Sequence, residues 1–559
     1  MATSLKSLFK TVLLTSLAVT VPLVGIRFWG GFEGAELAAY DEFIRRRPAE
    51  KPDDRIVIVT ISDDDIEQLQ QYPIHDGTLA EALKTLDSKQ PRAIGVDISR
   101  DVPHGLPAGR DRLTQVIQKS ETIITGCLLS TANHPGSPPA PGTPPGGAAF
   151  ADFPQDIDKI VRRTKLISTP AQSNRRSRTN HDCNDVRADN ELPSLSFQLA
   201  LMYLDGADIK PDSTATNQIQ FRQTVLRRID PQFGGYVRAD APDYQLMLNY
   251  RGADRIFREI SILDVLRQKV DPQLIRDRVV LIGYTSEVSK DELNTPFSET
   301  RSGSRTMPGV VVHAHAVSQI LSAVLDNRPL IRSGSNLGEV LWIFVWSFGS
   351  GLIAFYNRRL GLFLLGLVGT GFALWGICYG VFLAQGLWLP FVPTLTAAIL
   401  TAVAVRVLDL ASRSGYTQAI YEQIKDQIQG QGASRDRRGD YLENLVQRAR
   451  IARQGQTAAD LLSLGTKPEP LATATPEMQA LYQQIAAQVK ADVAKEQATR
   501  QNAIPQSGSP TGIAQPRSSK TSRIQNLLSR AQQTRSAHSL PAEGGASLES
   551  SSASNEPHD

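Results

Sequence analysis

Three apolar segments lie almost end to end late in the chain, at residues 337–356, 360–383 and 387–405. Each is long enough to cross a hydrocarbon layer as a helix. Backbone polar groups in lipid must pair within the segment, so helices are the form available to them there. A further apolar run, residues 11–26, follows Lys6 and Lys10 and precedes Arg27, Phe28 and Trp29. It reads as a signal peptide or an N-terminal anchor. The lack of an A-x-A site and the interfacial Arg-Phe-Trp favour an uncleaved helix. These runs bracket a polar region of about 300 residues, 30–330, with one helix before it and three after it.

Charge sets the expected orientation. Arg358 and Arg359 join the first two late segments, whereas Ala384, Gln385 and Gly386 join the last two without charge; Arg406 and Arg413 follow. The positive-inside rule then places both termini in the cytoplasm and residues 30–330 outside, in a multi-pass protein of the plasma (inner) membrane. Arg45–Arg47, Arg328 and Arg332 run against the count, but a long translocated domain is little governed by charge. With 60 basic and 57 acidic residues, the net charge of +3 points to no polyanionic partner, and nucleic acid is not expected.

Within 30–330, an amphipathic stretch at 32–47 reads as an outward continuation of the first helix. Short apolar strands at 56–61, 93–98 and 122–129 alternate with helices near 66, at 78–86 and at 110–118. This rhythm predicts an α/β domain with a mostly parallel sheet. Residues 132–149 form a Pro/Gly-rich loop, 195–204 a helix, 246–250 a strand and 261–266 a short helix. The run Val279-Val280-Leu281-Ile282, stopped by Gly283, is a buried strand. After a polar loop and Pro308-Gly309, residues 310–325 have helical spacing. That helix, with His315, Gln319 and Leu321, stands just before the membrane segments and reads as a coupling helix. Residues 407–500 read as a cytoplasmic helical region. Residues 501–559, basic and then Ser-rich, read as a disordered tail.

Few residues suggest chemistry. Asp63-Asp64-Asp65 lacks the spacing of a calcium loop and reads as a helix cap beginning near Ile66. His313 and His315 would point the same way on an extended segment, but no third ligand stands nearby and no metal is assigned. Asp97 ends a predicted parallel strand, where open α/β sheets place ligand groups; it could equally cap a loop or pair with Arg100. Arg162 and Arg163, after Asp156 and Asp158, could receive an anionic ligand or form a surface ion pair. No nucleotide-loop, nucleophile-elbow or zinc-protease motif occurs, so no catalytic residue or cofactor is assigned and an enzyme is not expected. Cys378 lies in an apolar segment. Cys127 and Cys183 could form one disulfide or remain two free thiols.

An ordered set of short pieces carries a resemblance. These are D-D-R-I-V-I-V-T-I at 53–61, Y-P-I-H-D at 72–76, A-I-G-V-D-I-S-R-D at 93–101, D-K-I-V-R-R at 158–163, S-L-S-F-Q-L-A at 194–200 and L-N-Y-R-G at 248–252. The set continues with D-R-V-V-L-I-G-Y-T-S at 277–286, D-E-L-N-T-P-F at 291–297 and P-G-V-V-V-H-A-H-A-V-S-Q-I-L at 308–321. In order, from 53 to 321, they resemble the CHASE type-2 domain, an extracytoplasmic sensory module of bacterial membrane receptors, in forms common in cyanobacteria. The resemblance implies one helix before the domain and three after it, and it favours pairing Cys127 with Cys183. It also implies sensing relayed to a kinase or cyclase. The tail has no such motif set, so the expected output is a separate cytoplasmic signalling protein. The other expected partners are the lipid bilayer, a second copy of the chain and a small-molecule or envelope ligand. The rival expectation is a non-signalling envelope scaffold that binds proteins through the outer domain.

Overall fold

The computed structural model describes residues 2–413 apart from 49, 178, 188, 254–255, 301–302, 305 and 358. The expected disordered tail at 501–559, and the helical region at 407–500 beyond residue 413, lie outside the described residues. After α1 (Ala2–Phe28) come α2 (Glu33–Arg45), β1 (Ile56–Ile61), α3 (Asp63–Leu69), α4 (Asp76–Asp87), β2 (Ala93–Asp97), α5 (Pro107–Lys119), β3 (Ile123–Cys127), β4 (Ala148–Phe150) and β5 (Arg163–Ser168). Then follow α6 (Leu195–Asp205), β6 (Tyr244–Met247), β7 (Arg258–Ser261), α7 (Ile262–Leu266), β8 (Val279–Tyr284), α8 (Gly309–Leu325), α9 (Asn336–Tyr356), α10 (Leu360–Gln385) and α11 (Val392–Arg413).

The central sheet has six parallel strands in the order β7-β1-β8-β2-β3-β4. The run at 279–282 is its buried middle, with Ile282 opposite Val59 on one side and Val96 on the other. Strand alternation sends Val279 and Leu281 to the face covered by α6 and α8, and Val280 and Ile282 to the face covered by α4, α5 and α7. A strand with helices on both faces must be apolar throughout, which is why this run reads continuously. The edge strand β7 carries no apolar run and could not be read in advance.

Three expectations are corrected. First, Ser62 caps α3 in a capping box with Asp65, so the helix starts at Asp63 rather than near Ile66. Second, the last apolar segment is not a helix from residue 387. Leu387–Trp388 pairs with Arg332–Ser333, and α11 begins at Val392 with Pro393 in its first turn, where a missing N–H costs nothing. Third, α2 does not continue α1, because a turn at residues 29–32 separates them. Among the described residues four helices are long and apolar enough to cross a membrane: 10–28 within α1, then α9, α10, and 392–410 within α11.

The amphipathic helix α2 sits between the α/β domain and these helices. Its Tyr40 ring lies 4.8 Å from that of Trp388 and 5.8 Å from that of Phe382, and Phe43 lies 5.7 Å from Phe382. The same apolar cluster takes in Met247, Leu248 and Val312 from the domain. The end of α10 is set by Gly386, whose φ of +64° makes the left-handed cap; a Cβ there would strike the Leu330 carbonyl.

Candidate ligand site

Strands β8 and β2 are neighbours, yet the chain leaves them toward opposite faces. β8 leads to α8 and β2 leads to α5. Open parallel sheets hold ligand crevices at such points of divergence, outside the carboxyl ends of the strands. Here the crevice is a cavity of about 560 Å³. Asp97, Arg100, His104, Tyr72, Tyr284 and Asp291 contribute to its wall, and Ile98, Val102 and Leu128 supply aliphatic surface.

The Asp97 side chain is 12% exposed, with Oδ1 3.8 Å from His313 Nε2. Burial without a compensating donor raises its carboxyl to about 7. Asp291 is raised to about 6, by burial first and by the charge of Asp97 second. His313, from α8, is held down to about 4 by burial and is neutral at neutral pH. Its Nδ1 lies 2.7 Å from Ser196 Oγ, and its ring lies 4.5 Å from Phe153. Arg100 does not pair closely with Asp97. Its Nη2 donates to the Ile74 carbonyl at 3.1 Å and its Nε lies 3.5 Å from Asp76, so it braces the loop. The cavity therefore presents two carboxyls whose proton affinity burial raises, beside an apolar wall. A small solute with an ammonium or several hydroxyl donors and an apolar body is complementary to it.

Arg162 and Arg163 are corrected as ligand candidates. The Arg162 side chain is 1% exposed and already meets three carboxylates. Nε and Nη2 donate to Asp41 at 2.8 and 2.7 Å, Nη1 donates to Asp156 at 2.7 Å, and Nη2 also donates to Asp158 at 2.6 Å. Arg163 donates to Asp156 through Nε and Nη2, and to Gln245 through Nη1. An incoming anion would meet like charge here. The pair is a buried ion-pair network that ties the start of β5 to α2.

His313 and His315 share no site. On a helix, residues two apart point away from each other. His315 packs between Tyr250 and Phe257, with ring centroids at 5.2 and 4.9 Å, and burial lowers it to about 3. Among the described residues no group of three or more His, Cys, Asp or Glu could hold a metal ion.

A model of the CHASE2 domain matches residues 15–352. The chain belongs to the CHASE2 domain family. Comparison with curated proteins and with solved structures gave no match. CHASE2 domains are extracytoplasmic sensory domains of signalling proteins, so a sensory role is supported for this one. The match begins inside α1 and ends inside α9, so it takes in part of the apolar helix on each side of the domain.

In this CHASE2 domain Cys127 and Cys183 are disulfide-bonded, with Cα atoms 6.5 Å apart. Helix α8 is a core helix: Leu321 packs in the sheet-facing cluster, and the Gln319 side chain accepts a hydrogen bond from the Asn249 N–H. Asn249 Nδ2 in turn donates to the Pro329 carbonyl at 2.8 Å, in the segment that enters α9. One helix thus reaches the cavity wall through the His313–Asp97 approach and the segment before α9 through the Gln319–Asn249–Pro329 hydrogen bonds.

Sequence reasoning passed over Asp41, Asp291 and Trp388. Asp41 had a legible signal, since it falls four residues after Leu37 on the apolar stripe of α2, a costly place for an unpaired acid. Asp291 and Trp388 had none, because their roles exist only through partners distant in sequence. Trp388 is 1% exposed and stacks over Gly234 and Gly235.

Proposed function

We propose that this chain is a transmembrane sensor whose cavity at Asp97 and Asp291 takes a small polar solute, and whose occupancy is relayed to a separate cytoplasmic partner. The observation that carries the reading is the buried Asp97 carboxyl, short of donors, which lines the cavity and lies 3.8 Å from His313 of α8 behind it. Occupancy would bias two arrangements of α8 and the segment at 326–335, and α2 and Trp388 would pass the difference to α10. In this reading four helices cross the membrane, both termini are cytoplasmic, residues 30–330 are outside and the outer domain catalyses no reaction. The arginines at 358–359 and the disulfide, which suits an oxidising compartment, support that orientation.

The test uses the full chain in nanodiscs. Thermal unfolding is followed with amines, amino acids and polyols, for the natural chain and for Asp97→Asn. The expected result is a rise in Tm with one class, lost in Asp97→Asn, together with altered hydrogen exchange in α2 and residues 386–391. If no class shifts Tm, ligand sensing is overturned. If a ligand binds without changing exchange in those segments, the relay is overturned. A reporter fused after Asp559 that is active only outside the cytoplasm is expected to stay silent.

One observation favours a second reading, a scaffold that binds protein through the outer domain. Apolar side chains stand exposed at the cavity mouth and close by, with Val102 at 55%, Leu106 at 79% and Leu128 at 37%. Isolation of the chain with envelope assembly proteins, and with no kinase, cyclase or response regulator, would decide for the scaffold.

A further inference from the structure

A second cavity, of about 470 Å³, lies where the α/β domain meets the ends of the membrane helices. Its lining includes Arg227, Arg328, Arg332 and Gln385, with Leu330 and Met247 among the apolar residues, and no acidic residue. In a chain with 60 basic and 57 acidic residues this is a local excess of positive charge. Arg328 is neutralised, since its Nη2 and Nε donate to Glu50 at 2.6 and 2.9 Å. Arg227 and Arg332 are exposed and, among the described residues, form no ion pair; Arg332 Nη2 donates to the neutral Gln385 Oε1 at 3.1 Å.

The height of this cavity is fixed by the helices beside it. Gln385 is the last residue of α10. Arg332 pairs in register with Leu387 and stands four residues before Asn336, where α9 begins under a Ser335 cap. The 21 residues of α9 match a hydrocarbon layer of about 30 Å. Arg332 and Gln385 therefore sit at the headgroup level of the leaflet on the domain's side. Arginines without acid partners, at that level and above an apolar floor, match a phosphate-bearing group.

We propose that this cavity binds the phosphate of an anionic phospholipid headgroup, gripped by Arg227 and Arg332. Held there, the lipid touches residues 327–332, which lead into α9, and residue 385, which ends α10. The site so couples lipid composition to the junction between domain and membrane.

The test uses the full chain in phosphatidylcholine nanodiscs with and without phosphatidylglycerol, with bound lipid counted by native mass spectrometry. The natural chain is expected to retain phosphatidylglycerol in preference to phosphatidylcholine. Arg227→Gln/Arg332→Gln is expected to retain it roughly thirtyfold less, as loss of two interfacial arginines implies. Arg276→Gln, an exposed arginine outside the cavity, is expected to change nothing. Inorganic phosphate is titrated into the neutral discs in parallel. If phosphate alone raises Tm at millimolar concentration and no lipid preference is found, the ligand is a soluble phosphate and the lipid assignment fails. Equal retention of phosphatidylglycerol by the double variant and the natural chain, both giving the same near-UV circular dichroism, overturns the site.

Discussion

Arg162 grips Asp41 side-on, Nε to Oδ1 at 2.8 Å and Nη2 to Oδ2 at 2.7 Å, across 121 residues of sequence. Both side chains are nearly inaccessible to water. This pair fastens α2, which packs against α10, to the strand that begins with Arg163. Arg162→Met is expected to leave Asp41, Asp156 and Asp158 short of their cation. Breaking a buried network from one side costs about 3–5 kcal/mol. Thermal unfolding of the full chain in nanodiscs checks this; a drop no larger than that of an exposed control such as Arg276→Gln would show the network to be dispensable.

The cavity carboxyls give the domain a pH signature. Burial raises Asp97 from an ordinary 3.8 to about 7, so above 3.8 the folded state binds more protons than the unfolded state. The stability tied to that proton is fully present below 3.8 and is lost as pH rises through about 7. His313 works oppositely, with stability present above its ordinary 6.5 and lost as pH falls through about 4. Asp97→Asn is therefore expected to raise Tm at pH 8 and to change it little at pH 4; each 1 kcal/mol shifts Tm by roughly 2–4 °C. An equal shift at both values would mean that Asp97 is not the titrating group.

Trp388 is the buried plug between domain and bundle. Trp388→Ala is expected to destabilise the junction by about 3–5 kcal/mol, as truncation of a buried aromatic does. Gly234→Ala approaches the same contact from the other side, because its Cβ would enter the Trp388 ring and its φ of +58° disfavours any side chain. Both variants are expected to speed proteolysis between residues 326 and 335 while leaving the central sheet protected in hydrogen exchange. Unchanged cleavage in both would remove Trp388 from the junction.

The Cys127–Cys183 bridge closes a loop across 56 residues at the end of β3. Removing it by Cys127→Ser/Cys183→Ser is expected to cost about 2–4 kcal/mol, mainly by freeing the unfolded chain. Reductant is expected to lower the Tm of the natural chain toward that of the variant and to leave the variant unchanged. Alkylation of free thiols in the untreated natural chain, counted by mass, should find Cys378 alone.

What the sequence determined was whatever depends on local pattern and length. The apolar run 279–282, β-branched and stopped by Gly283, was readable as a buried strand. The segments at 337–356 and 360–383 were readable as helices of membrane length, because the length and apolar content of a run are local properties. Asp97 was legible as a candidate because the end of a parallel strand is a topological position. Tertiary structure decided the rest. Arg162 was legible as a cation but not as a sealed one, since Asp41 comes from a helix 121 residues earlier. His313 and His315 were separated by the helix that carries them. Leu387 and Trp388 left the membrane segment to pair beside Arg332 and fill the junction, a role set by Pro390, Pro393 and partners elsewhere in the chain. Pattern specifies elements, but burial and charge compensation come from residues that only the fold brings together.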